Sequence, residues 1–171
     1  MTFDNSRRVF VNKGAKLGLI ASTGLAAYSL FGRTALAMER EFSVMKTPDE
    51  WRKVLTPEQF AVLRNHATER PFSSPLNAEK REGVYKCAGC ETEVFSSHTK
   101  FESGTGWPSF YEPIEGGIGT QTDWKLLYPR TEVHCATCGG HLGHVFEDGP
   151  APTGLRYCMN GVAMVFKPSK E

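Results

Sequence analysis

Apolar positions recur with a helical period between residues 47 and 65, after two segments of the same form. Thr47–Glu50 and Thr56–Gln59 each have a threonine, then a proline, and an acidic or amide side chain three positions after the threonine. Because this is the pattern of a helix N-terminus with a capping box, each segment predicts the start of a short helix. The apolar side chains expected to be buried by these helices are Trp51, Leu55, Phe60 and Leu63.

From Gly83 onward the pattern changes to short runs of β-branched, aromatic and aliphatic residues separated by glycine and proline turns. Such runs occur at residues 84–86, 124–128 and 163–166, and their length and spacing predict antiparallel strands. No repeat or low-complexity stretch indicates a second folded domain. The sequence therefore predicts a mainly β fold, with antiparallel sheets behind short N-terminal helices, in a single domain over residues 47–171.

The first 37 residues have the features of an export signal. Paired arginines, Arg7 and Arg8, precede an apolar run at residues 17–31, and Ala35-Leu36-Ala37 has the form of a cleavage site. The run is shorter than the roughly 20 residues that span a bilayer, so a cleaved signal is favoured over a permanent anchor. The paired arginines resemble the twin-arginine motif. We therefore expect export to a bacterial periplasm, cleavage after Ala37, and a polar linker at residues 38–46.

Charge is distributed unevenly between this leader and the rest of the chain. Residues 1–37 hold five of the 20 basic side chains and one of the 19 acidic ones, which leaves the remainder with a formal charge of −3. A nucleic-acid-binding zinc module normally has a basic face. The balance therefore weighs against nucleic acid as a partner.

The cysteines form two C-x-x-C pairs, Cys87 with Cys90 and Cys135 with Cys138, and a fifth cysteine stands alone. Four thiolates in two such pairs are typical of a closed structural zinc site, in which no coordination position is left for chemistry. Two local disulfides are the alternative in an exported protein, but a bridge within C-x-x-C closes a very short loop and is usually redox-active. Iron is a second alternative, since the same four sulfurs bind it.

The lone cysteine lies in Arg156-Tyr157-Cys158-Met159-Asn160, where a strand would put Arg156, Cys158 and Asn160 on one face. A neighbouring arginine lowers the pKa of a thiol and favours the nucleophilic thiolate. His141 and His144 are then candidate proton donors, and Trp107, between a glycine and a proline, is a candidate apolar pocket wall. The alternatives are a buried inert cysteine, structural histidines and a core tryptophan.

Taken together, these motifs resemble the methionine-R-sulfoxide reductases, the B-type family, from about Trp51 to Phe166. The matching strings are Leu55-Thr56-Pro57-Glu58-Gln59, Pro71-Phe72-Ser73, both cysteine pairs, Phe101-Glu102-Ser103-Gly104, Gly106-Trp107-Pro108-Ser109-Phe110, Gly139-Gly140-His141-Leu142-Gly143-His144-Val145-Phe146 and Gly154-Leu155-Arg156-Tyr157-Cys158-Met159-Asn160. The resemblance implies an oxidoreductase that reduces methionine-R-sulfoxide, free or in proteins, to methionine.

The resemblance also implies a role for each candidate residue. Cys158 attacks the sulfoxide sulfur and becomes a sulfenic acid, while His144, assisted by His141 and Asn160, donates a proton to the leaving oxygen. Two residues then serve substrate binding: Trp107 holds the S-methyl group, and Arg156 also stabilises the Cys158 thiolate. Cys87, Cys90, Cys135 and Cys138 bind one structural zinc ion.

One departure from the family pattern concerns how Cys158 is reduced again after each turnover. Many members have a second, resolving cysteine where this chain has Thr105. With four thiols on metal, we expect an external thiol reductant, thioredoxin-like or similar, to reduce Cys158 directly. We expect a monomer that repairs oxidised proteins.

Two rival hypotheses remain open at this level. A zinc-ribbon module that binds a protein partner would shield Cys158 as a packing residue, and a thiol-disulfide oxidoreductase would cycle one C-x-x-C pair without metal.

Overall fold

The computed structural model describes residues 42–125 and 128–170, so the predicted export signal lies outside the described residues. Helix α1 spans Pro48–Val54 and helix α2 spans Pro57–Asn65. Both capping boxes form: Thr47 pairs with Glu50 and Thr56 with Gln59. The predicted helix starts are therefore confirmed. Short 3₁₀ helices lie at Pro75–Asn77, Ser97–Thr99 and Gly161–Ala163.

Within the described residues, nine strands follow the two α-helices, and they form two antiparallel sheets. In chain order they are β1 (Gly83–Cys87), β2 (Glu93–Ser96), β3 (Lys100–Phe101), β4 (Ser109–Phe110), β5 (Ile118–Asp123), β6 (Arg130–Cys135), β7 (His141–Phe146), β8 (Arg156–Met159) and β9 (Met164–Pro168). The small sheet has the order β2-β1-β9, and the large sheet has the order β3-β4-β8-β7-β6-β5. The predicted mainly β architecture with short N-terminal helices is confirmed.

The core is aromatic where strands of the two sheets pack together. Phe95 of β2 stacks on Phe110 of β4 with ring centroids 4.4 Å apart, and Tyr85 of β1 meets Phe110 edge-on at 4.9 Å. All three rings are fully buried, and such aromatic pairs add to the free energy gained from burying their area. Helices α1 and α2 contribute Trp51, Val62 and Leu63 to the same core, and Leu55, the C-terminal cap of α1, is buried with them.

The predicted strand over residues 124–128 is wrong for the residues that the structure describes there. Strand β5 ends at Asp123, and Trp124 and Tyr128 are 72% and 59% exposed in the connection to β6. Residues 126 and 127 lie outside the described residues. An apolar run is read as buried by default, and here the described aromatic side chains face solvent instead.

Residues 42–44, within the predicted polar linker, contact the folded domain. The backbone N–H of Val44 donates to the carbonyl of Thr137 at 3.0 Å, and the ring of Phe42 meets His134 edge-on at 5.7 Å. Among the described residues, no helix has the length and apolar character needed to span a bilayer.

Candidate active site and metal centre

Two of the predicted catalytic residues, Cys158 and His144, lie on one row that crosses the six-stranded sheet. Cys158 of β8 is directly opposite Ser109 of β4 on one side and His144 of β7 on the other. His144 is in turn opposite Glu132 of β6, and Glu132 is opposite Gln121 of β5. Because directly opposite residues of antiparallel strands point to the same face, the sheet presents these five side chains on one surface.

An irregularity in the pairing of β6 and β7 brings His141 to the same surface. Val133 pairs with Gly143, whereas the next residue, His134, pairs with His141, so β7 has one extra residue at this point. Without this bulge, His141 and His144 would lie on opposite faces of the strand, since they are three positions apart. The two imidazole rings instead meet edge-on with centroids 5.3 Å apart.

A cavity of about 140 Å³ opens over this row. Its lining includes Cys158, His144, Trp107 and Asn160, four of the residues singled out in the sequence. His141 and Arg156 do not line it. The lining also includes four residues that sequence reasoning missed, and these are Thr68, Arg130, Gly143 and Phe146.

Backbone geometry fixes Trp107 at this cavity. Gly106 has φ +92°, and a Cβ atom there would lie 2.9 Å from the ring of Phe72, so a larger residue would be strained and obstructed. The indole Nε1–H of Trp107 donates to the carbonyl of Glu69 at 3.1 Å. This hydrogen bond and the following proline orient the indole ring, which can form an apolar wall.

The Cys158 thiol is half-buried beside Thr105, whose Oγ1 lies 3.9 Å from its Sγ. Burial raises the pKa of Cys158, and contact with Thr105 and the charge of Arg156 oppose this rise without reversing it. Arg156 lowers the pKa of the thiol, which is the direction that the sequence predicts, but desolvation of the sulfur is the larger effect.

The guanidinium of Arg156 is directed mainly to Asp148. Its Nε and Nη2 donate to the two carboxylate oxygens of Asp148, each at 2.8 Å, and its guanidinium carbon lies 4.5 Å from the ring centroid of Phe146. This bidentate pair fixes the arginine side chain at the start of β8, the strand that carries Cys158. Phe146, itself a cavity residue, is held by the same contact.

His144 is held by a carboxylate through Nε2. Its Nε2 lies 2.8 Å from Oδ2 of Asp123, and the same oxygen accepts a hydrogen bond from Nη2 of Arg130 at 2.7 Å. A backbone hydrogen bond from Lys125 and those from His144 and Arg130 hold the pKa of Asp123 well below its usual range, despite partial burial. Burial lowers the pKa of His144, and the hydrogen bond to Asp123 only partly offsets this. A neutral His144 therefore carries its proton on Nε2.

Asn160 joins three segments around the cavity. Its Oδ1 accepts from the backbone N–H of Glu69 at 2.9 Å, and its Nδ2 donates to the carbonyl of Leu142 at 3.0 Å, between the two histidines. Glu69 in turn accepts from the N–H groups of Gly161 and Val162. Asn160 thus fixes the position of β7 relative to the segment that carries Thr68.

The four cysteines of the C-x-x-C pairs converge on one point, with all four Sγ atoms within 4.8 Å of one another. Sγ of Cys87 lies 3.7 Å from that of Cys138, and Sγ of Cys90 lies 3.5 Å from that of Cys135. Tetrahedral thiolate coordination at a metal–sulfur distance of about 2.3 Å requires sulfurs about 3.7 Å apart. The four cysteines therefore fit a single metal ion, and no disulfide links any of the five cysteines of the chain.

The two cysteine loops are built in the same way. The N–H of Glu91 donates to the carbonyl of Cys87, and the N–H of Gly139 donates to the carbonyl of Cys135. The donor follows the second cysteine of its pair, and both donors are left-handed, with φ +61° and +67°. At Gly139 a side chain would also collide with the ring of Phe42. Each turn aims its two sulfurs to the same side, as a shared ion requires.

Sequence reasoning missed the charged and polar partners of the histidines. Asp123, Arg130 and Glu132 lie on β5 and β6, far from the histidines along the chain, and His66 ends helix α2. The only available signal was period-two alternation, which puts Arg130 and Glu132 on the same face of β6. That alternation identifies neither their partners nor the register of the strands.

Comparison with known proteins agrees with this geometry. The SelR domain model matches residues 55–168. A protein named peptide methionine sulfoxide reductase MsrB from Methanosarcina barkeri is 58% identical over 130 residues, which are 75% of this chain and 92% of that protein. Proteins with the same name from Pseudomonas putida and Agrobacterium fabrum are 56% and 54% identical over 124 and 126 residues, covering 72% and 73% of this chain and 93% of each relative. The chain belongs to the SelR family of peptide methionine sulfoxide reductases.

Proposed function

We propose that this protein is an oxidoreductase that reduces methionine-R-sulfoxide to methionine, using Cys158 as the nucleophile. The observation that carries the proposal is the small cavity in which the Cys158 thiol lies in register with His144 and faces the same space as Trp107. Family membership and the name shared by the relatives support the same reaction.

The first chemical step transfers oxygen from the substrate to Cys158. The thiol and the sulfoxide give methionine and a cysteine sulfenic acid, so the methionine sulfur gains two electrons and the cysteine sulfur loses two. The S–O bond of the substrate breaks, and a new S–O bond is present on Cys158. The proton of the thiol finishes on the transferred oxygen, which makes this half-reaction neutral in protons.

His144 and Asp123 are suited to move that proton. With Nε2–H donated to Asp123, neutral His144 has a lone pair on Nδ1. It accepts the proton of Cys158, so that the attacking species is the thiolate even though burial raises the thiol pKa. The Asp123 carboxylate stabilises the imidazolium that forms, which then donates to the sulfoxide oxygen, as in other carboxylate-histidine pairs.

Trp107 supplies the basis for epimer selection. A sulfoxide sulfur carries an oxygen and a methyl group whose positions are exchanged between the R and S epimers. An indole wall accepts the methyl group but gives an oxygen no hydrogen bond from its face. With the oxygen directed toward His144 and the methyl group toward Trp107, only one epimer fits, and we propose the R form.

We expect the mature protein to reduce the R epimer of a blocked methionine sulfoxide and to leave the S epimer at least about 100-fold slower, because the wrong epimer leaves a buried polar group unpaired. The measurement is chromatographic release of methionine from each purified epimer with excess dithiothreitol. Equal rates on both epimers would remove Trp107 from its proposed role, and no turnover of either would overturn the proposed function.

Regeneration is proposed to use external thiols. Position 105 is a threonine, with a hydroxyl 3.9 Å from Cys158, so a resolving cysteine is absent at this point of the described chain. Two molecules of external thiol then convert the sulfenic acid to the thiol, releasing water and the oxidised disulfide. A thioredoxin-like protein is one such donor. The physiological role proposed for the cycle is repair of oxidised proteins during oxidative stress, with the protein acting as a monomer.

The four-cysteine centre is proposed to hold one zinc ion. Thiolate sulfur is the preferred ligand of structural zinc, and four such ligands leave no open position. The ion would therefore supply folding energy rather than catalysis. The four ligands would be Cys87, Cys90, Cys135 and Cys138.

Export by the twin-arginine route to the periplasm is proposed from the sequence of residues 1–37. We expect the Arg7→Lys, Arg8→Lys double variant to remain in the bacterial cytoplasm, because it keeps the charge but loses the paired arginines. Fractionation of cells that express each form tests this, and mass spectrometry of the exported form should give Met38 as the first residue. Export of the double variant would contradict the proposed route.

A further inference from the structure

Glu132 is a buried carboxylate that the proposed reaction does not use. It is 3% exposed and lies next to His144 in the row that contains Cys158. Isolating a carboxylate from water costs several kcal/mol unless hydrogen bonds compensate for the loss of hydration. A carboxylate buried next to reactive groups is a candidate for a role in the site, and its hydrogen-bond partners indicate which role.

Those partners are two imidazole rings and an amide. Nδ1 of His141 lies 2.5 Å from Oε1 of Glu132, and Nδ1 of His66 lies 2.8 Å from the same oxygen. The other oxygen accepts from Nε2 of Gln121 at 2.5 Å. Burial alone would raise the pKa of Glu132, but the hydrogen bonds from His141, His66 and Gln121 outweigh it and hold the pKa well below the usual range.

Two interpretations of this group can be separated by distance. Two nitrogens and an oxygen around a tetrahedral zinc ion would be roughly 3.3 Å apart at ordinary bond lengths, which is longer than both nitrogen–oxygen distances here. The short distances fit charge-assisted hydrogen bonds. Since an ionised carboxylate only accepts, both Nδ1 atoms carry protons.

The consequence falls on His141. With its proton held on Nδ1, neutral His141 has its lone pair on Nε2. The ring is 2% exposed and contacts the ring of His144 edge-on. Rotation or tautomer exchange of His141 would therefore alter the surroundings of His144. Arg130 on the same strand and Asp123 on β5 pair with each other.

We propose that Glu132 and His66 are positioning residues that act on catalysis through His141: Glu132 fixes its ring and tautomer, and His66 holds Glu132 in place from the end of helix α2. His66 is the C-terminal cap of helix α2, with φ +55°, and its side chain is 37% exposed. From there its ring reaches Glu132. The inference rests on the proposed function, since it assigns these residues to the proton transfer of that reaction.

The test is a double-mutant cycle on turnover of the R epimer by the full chain. We expect Glu132→Gln, which keeps the size but removes the charge, to lower kcat by about 10- to 100-fold with KM changed less than about threefold. In a His141→Gln background the same substitution should cost less than about twofold, because its effect passes through His141. His98→Gln, at an exposed histidine away from the cavity, is the matched control and should leave kcat unchanged.

A second variant provides a separate test in case Glu132→Gln misfolds. His66→Asn suits the left-handed backbone of this position but cannot reach Glu132. It should lower kcat by about three- to tenfold, again only while His141 is present. An equal factor in both backgrounds, or an unchanged kcat in both variants, would overturn the proposal. If the unsubstituted protein fails to reduce the R epimer, the proposed function fails instead, and the two failures are thereby distinguished.

Discussion

Cys158→Ser is expected to lower turnover of the R epimer by 10³-fold or more, on the order of what removal of a nucleophile costs other enzymes. Serine has nearly the shape of cysteine, so the hydrogen bonds around the cavity should persist. Its hydroxyl, however, is far less acidic than a thiol. Its oxygen also cannot accept the transferred oxygen atom, whereas the cysteine sulfur does so and becomes a sulfenic acid. The measurement is the initial rate of methionine formation with saturating dithiothreitol.

A single-turnover experiment without reductant tests independently whether Cys158 is the nucleophile. The unsubstituted protein should release about one methionine per chain, because oxidised Cys158 cannot react again without a reductant. It should lose one titratable thiol and not two, because Thr105 offers no resolving thiol to form a disulfide. Cys158→Ser should release none. It should retain the metal content and thermal midpoint of the unsubstituted protein, which separates loss of chemistry from loss of fold. Persistent turnover in this variant would place the nucleophile elsewhere in the chain.

Local features of the fold were predictable because short-range chemistry determines them. Each capping box depends on residues three positions apart, and Thr47 with Glu50 and Thr56 with Gln59 pair as expected. The strand predicted at residues 124–128 is wrong because an apolar residue is not necessarily a buried one. Trp124 is 72% exposed, and nothing in its immediate sequence distinguishes it from a strand residue.

The site was predictable in its principal residues and not in their partners. Cys158, His144, Trp107 and Asn160 stand in short, recognisable strings, and the structure brings them to one cavity. Glu132 reaches His141 only because of a register shift in the pairing of β6 and β7. Register depends on the pairing of whole strands, and a shift by one residue moves a side chain to the other face. Periodicity along a single strand therefore could not identify this contact.

A metal ion at the four cysteines would have a different physical role from the cavity, because it would link the ends of two strands that belong to different sheets. One cysteine pair follows β1 of the small sheet, and the other follows β6 of the large sheet. Four thiolates within 4.8 Å of one another would repel strongly without a cation. Arg64 offers only partial compensation, since its Nη2 lies 3.5 Å from Sγ of Cys138. The bound ion is therefore expected to stabilise the packing of the two sheets.

Cys135→Ser is accordingly expected to abolish stoichiometric metal binding and to lower the thermal midpoint by about 15 °C or more. Structural zinc contributes about 10–16 kcal/mol to the folding of zinc-finger peptides, as much as the whole net stability of about 5–15 kcal/mol that an ordinary domain has. The aromatic core should preserve part of the stability of the metal-free protein. Each kcal/mol lost from the free energy of unfolding lowers the midpoint by roughly 3–5 °C. The measurements are metal per chain by elemental analysis and thermal unfolding with and without chelator.

Cys158→Ser is the matched control, because it also removes one thiol but leaves the four metal ligands intact. If Cys135→Ser kept one metal per chain and the original midpoint, the ion would not be bound by the four-cysteine shell. If both variants lost metal, Cys158 would have to be a ligand, and its role as a free nucleophile would be excluded. The expected separation, metal lost in one variant and activity alone lost in the other, assigns four sulfurs to structure and the fifth to chemistry.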